Sequence, residues 1–328
     1  MPDWGEILQE LNNEKVQYPR DYFDRVRKKY LVLLGATTKR ATILYASKWT
    51  SGENTPPGVI SVTIEDIQGL MEVTHGIGCD KLDLIIHSPG GSLEAAEAIV
   101  TYLRSRFSHI RVIIPHAAMS AATIIACGAD EILMGKHSFL GPIDPQIIIG
   151  TPLGTRMVPM QDILDQFEMA RTECEEPNKL GSWLPMLNQY GPDLLIQCRN
   201  SLELSKQLAQ DWLAKYMFKN DPTAISKAEI AAAWLSNHTE MKTHGRFLSR
   251  ERLRNEAGLT VQNLEDDNNV QDLVLSIYHA TTHTFNATPA LKIIENNAGK
   301  AYIKSHIQQT ATNNMNGPAR QIGGLFNL

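Results

Sequence analysis

The sequence predicts an α/β protein: a parallel sheet built from βαβ units, with a helical N-terminal lead-in and a helical C-terminal extension. Three observations predict it. Short apolar, strand-like runs recur at 30–34, 41–46, 82–87, 110–114 and 131–134. Helical patterns at 64–74, 93–106 and 119–127 alternate with them. Further helical signals lie before residue 30 and after residue 193.

Taken in order, residues 5–30 are rich in charge. Leu8 and Leu11 are spaced for one short helix, Tyr22 and Val26 for another, and Pro19 separates the two. The apolar runs that follow are expected as buried strands. Residues 193–216 carry a long helical pattern, and 226–235 repeats it with a serine at its start and few β-branched residues. The stretch 266–304 is expected to form one or two more helices, and 310–328, rich in Asn and Gly, a flexible tail. This divides the chain into a helical segment at 1–29, a principal domain at 30–264 and a C-terminal extension at 265–328.

Composition narrows the function classes. A chain of 328 residues, 43% apolar and 20% charged, can bury one large core. Its net charge of -5 and pI near 6.1 give no general attraction for phosphate backbones or anionic lipid, so nucleic acid is not an expected partner. Cys79, Cys127, Cys174 and Cys198 are far apart and form no C-x-x-C pair, which fits reduced thiols in the cytoplasm. The polar start, Met1-Pro2-Asp3-Trp4, lacks the basic and apolar regions of a secretory signal. The apolar runs at 30–36 and 110–115 fall short of the roughly 20 residues that span a bilayer, so no membrane insertion is expected. No metal or other cofactor is expected either, because the ten histidines form no H-E-x-x-H or comparable spacing. His279 and His283, four apart, read as the polar face of a helix.

Two elements carry chemistry. In the first, Leu84-Ile85-Ile86-His87-Ser88-Pro89-Gly90-Gly91-Ser92, a buried strand stops at Pro89, turns on two glycines and enters a helix capped by Ser92. Glycines let a substrate approach the backbone, and amides at a helix start favour negative charge, a combination that can stabilise an oxyanion. An ordinary strand-to-helix turn would look the same. In the second, a strand runs through Pro115-His116-Ala117-Ala118-Met119-Ser120-Ala121-Ala122-Thr123 into a short helix ending near Gly128. Ser120 falls at that helix's first turn, where it is either a cap or a nucleophile among small residues. Consecutive parallel strands bring their C-terminal ends to one sheet edge, so the glycine turn and Ser120 can face one substrate.

In this order the two elements resemble the glycine turn and nucleophile motif of Clp-type proteases and signal-peptide peptidase A. The resemblance is to the serine dehydrogenase proteinase family in particular, through 112–123, Ala129-Asp130-Glu131-Ile132 and Leu140-Gly141-Pro142-Ile143-Asp144-Pro145-Gln146. Thr243-His244-Gly245-Arg246 with Gly258-Leu259-Thr260-Val261 is similar to a later element of signal-peptide peptidase A. The resemblance covers about 30–260 and implies a Clp-protease/crotonase-like βαβ superhelix. It also implies a serine peptidase acting through an acyl-enzyme at Ser120, with Gly91 and Ala121 donating N–H groups to the oxyanion and Gly90 shaping the turn. Protein or peptide substrates and a homo-oligomer follow from the same resemblance.

The general base stays open. Where the Clp family has its histidine, this chain has Ile143-Asp144-Pro145. His137 and His116 are the imidazole candidates, Lys179 and Lys206 the lysine candidates, and His244 is expected to hold its own loop. Asp144 either orients a histidine, binds substrate or is a turn aspartate. The competing functions are a crotonase-like acyl-CoA enzyme, which needs paired amides and no serine, and a scaffold or sensor of the same fold that has lost its base.

Overall fold

A computed structural model describes residues 3–51, 55–151 and 154–305. The chain opens with α1 (Trp4–Gln17) and α2 (Tyr22–Thr38), then β1 (Ala41–Ser47), the single turn α3 (Pro57–Ile60) and α4 (Asp66–Thr74). The alternating unit follows: β2 (Lys81–His87), α5 (Leu93–Arg106), β3 (His109–Ile114), β4 (Ala117–Ala118), α6 (Ala121–Cys127), β5 (Glu131–Met134) and β6 (Phe139–Leu140). A hairpin of β7 (Gln146–Thr151) and β8 (Gly154–Pro159) leads into α7 (Met160–Glu173), α8 (Leu180–Leu187) and the long α9 (Leu194–Trp212), which ends in a π turn at Leu213–Met217. The remainder is α10 (Ala224–Leu235), α11 (His238–Met241), β9 (Leu248–Ser249), α12 (Arg250–Asn255), β10 (Val261–Asn263), α13 (Asn268–Ala287), β11 (Ala290–Asn296) and β12 (Ala301–Ser305).

The main sheet has the order β10-β5-β3-β2-β1-β11-β12. Its first five strands are parallel, and β11 and β12 add antiparallel to β1. Helices cover both faces, which is why the central strands are continuous apolar runs rather than alternating ones. One face packs Leu84, Ile86, Val112 and Ile114 under α4, α5, α6 and α9. The other packs Leu44, Ile85, Ile113 and Ile293 under α2 and α13. A second sheet, β4-β6-β9, starts just beyond the C-terminal ends of β3 and β5. No helix among the described residues is long and apolar enough to cross a membrane.

Three expectations are corrected. Residues 30–34 are not a strand but the middle of α2, so the boundary placed after residue 29 falls inside a helix. Leu31 and Leu34 are fully buried while Val32 and Leu33 are 42% and 43% exposed, the spacing of a helix face laid on α13. A short apolar run fits either period, and only its neighbours decide. The C-terminal extension is not wholly helical: α13 stops before Pro289, and the chain returns as β11 and β12 around Gly299, whose φ is +86°. The helix expected over 119–127 begins two residues later, because the Met119 amide is bonded to Ser88 and Ser120 is not helical. The tail expected at 310–328 lies outside the described residues.

If α2 runs through 30–34, Leu31→Ala and Leu34→Ala should each lose about 2–5 kcal/mol in urea unfolding, while Val32→Ala and Leu33→Ala stay within about 1 kcal/mol of the parent. A strand would instead make Leu31 and Leu33 alike.

Candidate active site

β2 and β3 run side by side, and their pairing continues past both strand ends. Ser88 N–H donates to the Ala117 carbonyl at 3.1 Å, and Met119 N–H donates to the Ser88 carbonyl at 3.0 Å. This bridge lays the glycine turn against the Ser120 turn. A Cβ on Gly90 would collide with the Met119 carbonyl and reach 2.8 Å from the Ser120 Cβ, and Gly90 has φ +90°, so only glycine fits. Gly91 is crowded from the opposite side, where an added Cβ would sit 2.5 Å from Val62 N.

Val62 also sets the direction of the Gly91 amide. Val62 N–H donates to the Gly90 carbonyl at 2.8 Å, and Ser92 N–H donates to the Val62 carbonyl at 2.9 Å, forming one parallel bridge. Along an extended chain, backbone polar groups alternate in direction. With those of Gly90 and Ser92 spent on Val62, the Gly91 N–H faces the other way.

Ser120 has φ +52° and ψ -119°, an unfavourable conformation for a residue with a side chain. Its hydroxyl does not cap α6. An ordinary capping serine holds an extended backbone, as Ser92 does when it accepts from Ala95 N–H at 3.0 Å. The strained turn is braced from behind by Thr123, whose Oγ1 accepts from Gly141 N–H at 3.1 Å while its one proton is shared between the carbonyls of Ala118 and Gly141, both at 3.0 Å. Ser120, Ala121 and Gly91 open into a cavity of about 370 Å³. Ile124, Ile143, Ile147, Ile148 and Met160 give it apolar walls, and Gln197, Ser201 and Ser205 line it from one stripe of α9. The amides of Gly91 and Ala121 donate to no group among the described residues. A cavity of about 560 Å³ between β8, α7 and α8 has Arg156, Asp162 and Tyr190 in its walls and neither glycine turn nor Ser120.

The described lining of the Ser120 cavity includes no histidine and no lysine. His116 turns toward the opposite layer, its ring 5.5 Å from that of His87 and 5.8 Å from that of Tyr278 on α13. Burial, then the proximity of His137, lowers its pKa. His137 is exposed, with its ring folded over Gly135. Lys179 pairs with Glu176 on the surface, and Lys206 follows Ser205 on α9 without reaching the cavity lining. Asp144 is buried between two cavity-lining neighbours, Ile143 and Pro145, and takes the Nδ1 of His238 at 3.0 Å and of His244 at 2.9 Å. His244 therefore holds Asp144 rather than only its own loop. His238 also reaches Asp162 on α7 through Nε2, at 2.9 Å.

Sequence reasoning missed Val62, Thr123, His238 and the stripe of α9. Only the stripe left a signal, polar residues at 197, 201 and 205 in helical register.

The Ser120 turn, with the unspent Ala121 amide next to the serine, thus faces the unspent Gly91 amide across parallel strand ends. Residues 58–163 match the family described as ClpP-like SDH-type serine proteinase. Two proteins of Methanocaldococcus jannaschii, Uncharacterized protein MJ0137 and Uncharacterized protein MJ1495, are each 45% identical to this chain over 87 residues. The shared stretch is 26% of this chain and 30% of each relative, so most of either relative's length is unmatched.

Two outcomes follow from the geometry. Glycine tolerates the dihedrals of position 120, so Ser120→Gly should be more stable than Ser120→Ala by about 1 kcal/mol or more in chemical denaturation, despite glycine's looser unfolded chain. His87, fully buried, is lowered to about 3 by burial and by the neighbouring His116. An unfolded histidine titrates near 6.5, so between about 6.5 and 3 the unfolded chain binds the extra proton and stability falls as pH drops. His87→Gln should make that acid limb shallower by up to about 1.4 kcal/mol per pH unit, read from urea titrations at several pH values.

Proposed function

We propose that this protein is a serine peptidase that cleaves peptide bonds through an acyl-enzyme at Ser120. The observation that carries the reading is the strained, non-capping Ser120 sharing one cavity with two unspent amides, Ala121 next to it and Gly91 on the facing turn. In this reading Ser120 Oγ attacks the substrate carbonyl, and the two amides hold the oxyanion. Collapse of the tetrahedral intermediate breaks the C–N bond and releases the amine, which carries off the proton given up by the Ser120 hydroxyl, and water then hydrolyses the ester to the free acid and restores that hydroxyl. Gly90 keeps the turn close enough for both amides to reach one oxygen. The match over 58–163 supports the Clp-protease/crotonase superhelix, protein or peptide substrates and a homo-oligomer.

Activation of the hydroxyl is the part that His116 and His137 support least, since neither lines the cavity. Asp144 is buried behind the cavity wall, between the lining residues Ile143 and Pro145, and its two imidazoles make it an orienting carboxylate rather than an isolated turn residue, while Glu94 is the titratable side chain of the described lining itself. The same lack of a lining imidazole favours a second reading, a crotonase-like acyl-CoA enzyme in which the amide pair stabilises an enolate.

A fluorophosphonate probe separates the two. Labelling of the folded protein that disappears in Ser120→Ala, together with peptide turnover lost in the same variant, is the expected result. An unlabelled protein whose melting temperature rises with acyl-CoA would replace the peptidase reading with the second one.

A further inference from the structure

The Gly91 amide faces the cavity because Val62 binds the backbone on either side of it, and Val62 is itself fixed from both flanks by one buried ion pair. The ammonium of Lys292, on β11, donates to the Ser61 carbonyl at 2.5 Å and to the Asp66 carboxylate at 2.9 and 2.7 Å. Asp66 in turn accepts from Thr63 N–H at 2.9 Å and from the Tyr45 hydroxyl at 2.7 Å. Ser61 and Thr63 are the residues before and after Val62. Lys304, on β12, adds contacts to Asp66 and Glu65 at 3.0 Å and to Thr63 Oγ1 at 3.3 Å.

Lys292 and Asp66 are both fully buried. Removing two charges from water is costly, and apolar residues of similar size often stabilise a core as well or better, so stability is a weak reason for such a pair. Directional hold on the backbone around Val62 is a stronger one. The three N–H groups of Lys292 are spent on Ser61 and Asp66, which leaves it no role as a base.

We propose that Lys292 and Asp66 are positioning residues that aim the Gly91 amide at the Ser120 cavity by clamping Val62. The proposal rests on the reading of Ser120 and Gly91 as the active site. It assigns part of that site's geometry to β11, which lies outside the stretch matched at 58–163.

The test uses the full chain. Lys292→Met alone strands the Asp66 carboxylate and is expected to unfold, so the decisive variant is Lys292→Met with Asp66→Asn, which removes both charges and keeps acceptors for Thr63 and Tyr45. It should unfold cooperatively, yet show Ser120 phosphonylation and kcat lowered by about tenfold to a hundredfold with KM little changed. A folded double variant that labels at the parent rate overturns the proposal. Hydrogen exchange in the unaltered protein decides the matter even if both variants unfold. Protection of the Thr63 amide, which donates to Asp66, together with Val62 and Ser92 amides as protected as those of β1, supports the clamp, and exchange of the Thr63 amide at loop rates overturns it. If the unaltered protein takes no label, the active-site reading fails, while the exchange result still reports on the clamp.

Discussion

The two hydrogen bonds that join Ser88 to the backbone at 117–119 extend the pairing of β2 and β3 past the end of both strands, and the cavity owes its geometry to that extension. Without it, two strand-to-helix turns would leave the same sheet edge and diverge. With it, Gly90 lies so close to the Ser120 turn that no side chain fits between them. The missing Cβ and the positive φ at Ser120 are two parts of one fit, since the serine turn takes its strained shape where the glycine turn leaves room. Thr123 then locks the arrangement to Gly141, so the strain is held by three separate loops rather than by the serine's own segment.

What the sequence made legible was local. Leu84 to Gly91 and Val112 to Ala122 each announce a strand, a turn and a helix within about ten residues, and parallel pairing of consecutive strands follows from general rules of handedness. The run at 30–34 misled because Tyr30-Leu31-Val32-Leu33-Leu34 satisfies both periods, and the choice is made by α13, far away in the chain. The stretch beyond Pro289 misled for a similar reason. Leu291, Ile293 and Ile294 become a strand because the open edge of β1 is there to receive them. Val62 could not be read at all: a single residue bridging a glycine turn leaves no pattern, and Lys292, which holds Ser61 and Asp66 on either side of it, adjoins it only in space. The partners of Asp144 are of the same kind, since His238 and His244 reach it from beyond α10, about a hundred residues further along the chain.

The two faces of the sheet solve different electrostatic problems. Toward α13, His87, His116 and Tyr278 form a layer of uncharged rings, and burial keeps the His87 imidazole neutral. Toward the glycine turn, charge is retained under equally complete burial: Lys292 is lowered only to about 8 because Asp66 opposes the effect of burial. A neutral layer packs and a charged pair points, and the pair sits where backbone direction matters most.

The strands that hold Val62 are the last of the described chain, whereas the strands that carry Gly91 and Ser120 come much earlier. During synthesis, therefore, the serine turn emerges from the ribosome well before the support for its opposing amide exists. Pairing β11 with β1 also closes a loop spanning most of the described chain, a slow kind of contact to form. The fold thus imposes an order in which the hydroxyl comes first and the aimed amide last. A nascent or C-terminally clipped molecule would carry the Ser120 turn without the strands that brace Val62 and the glycine turn beside it.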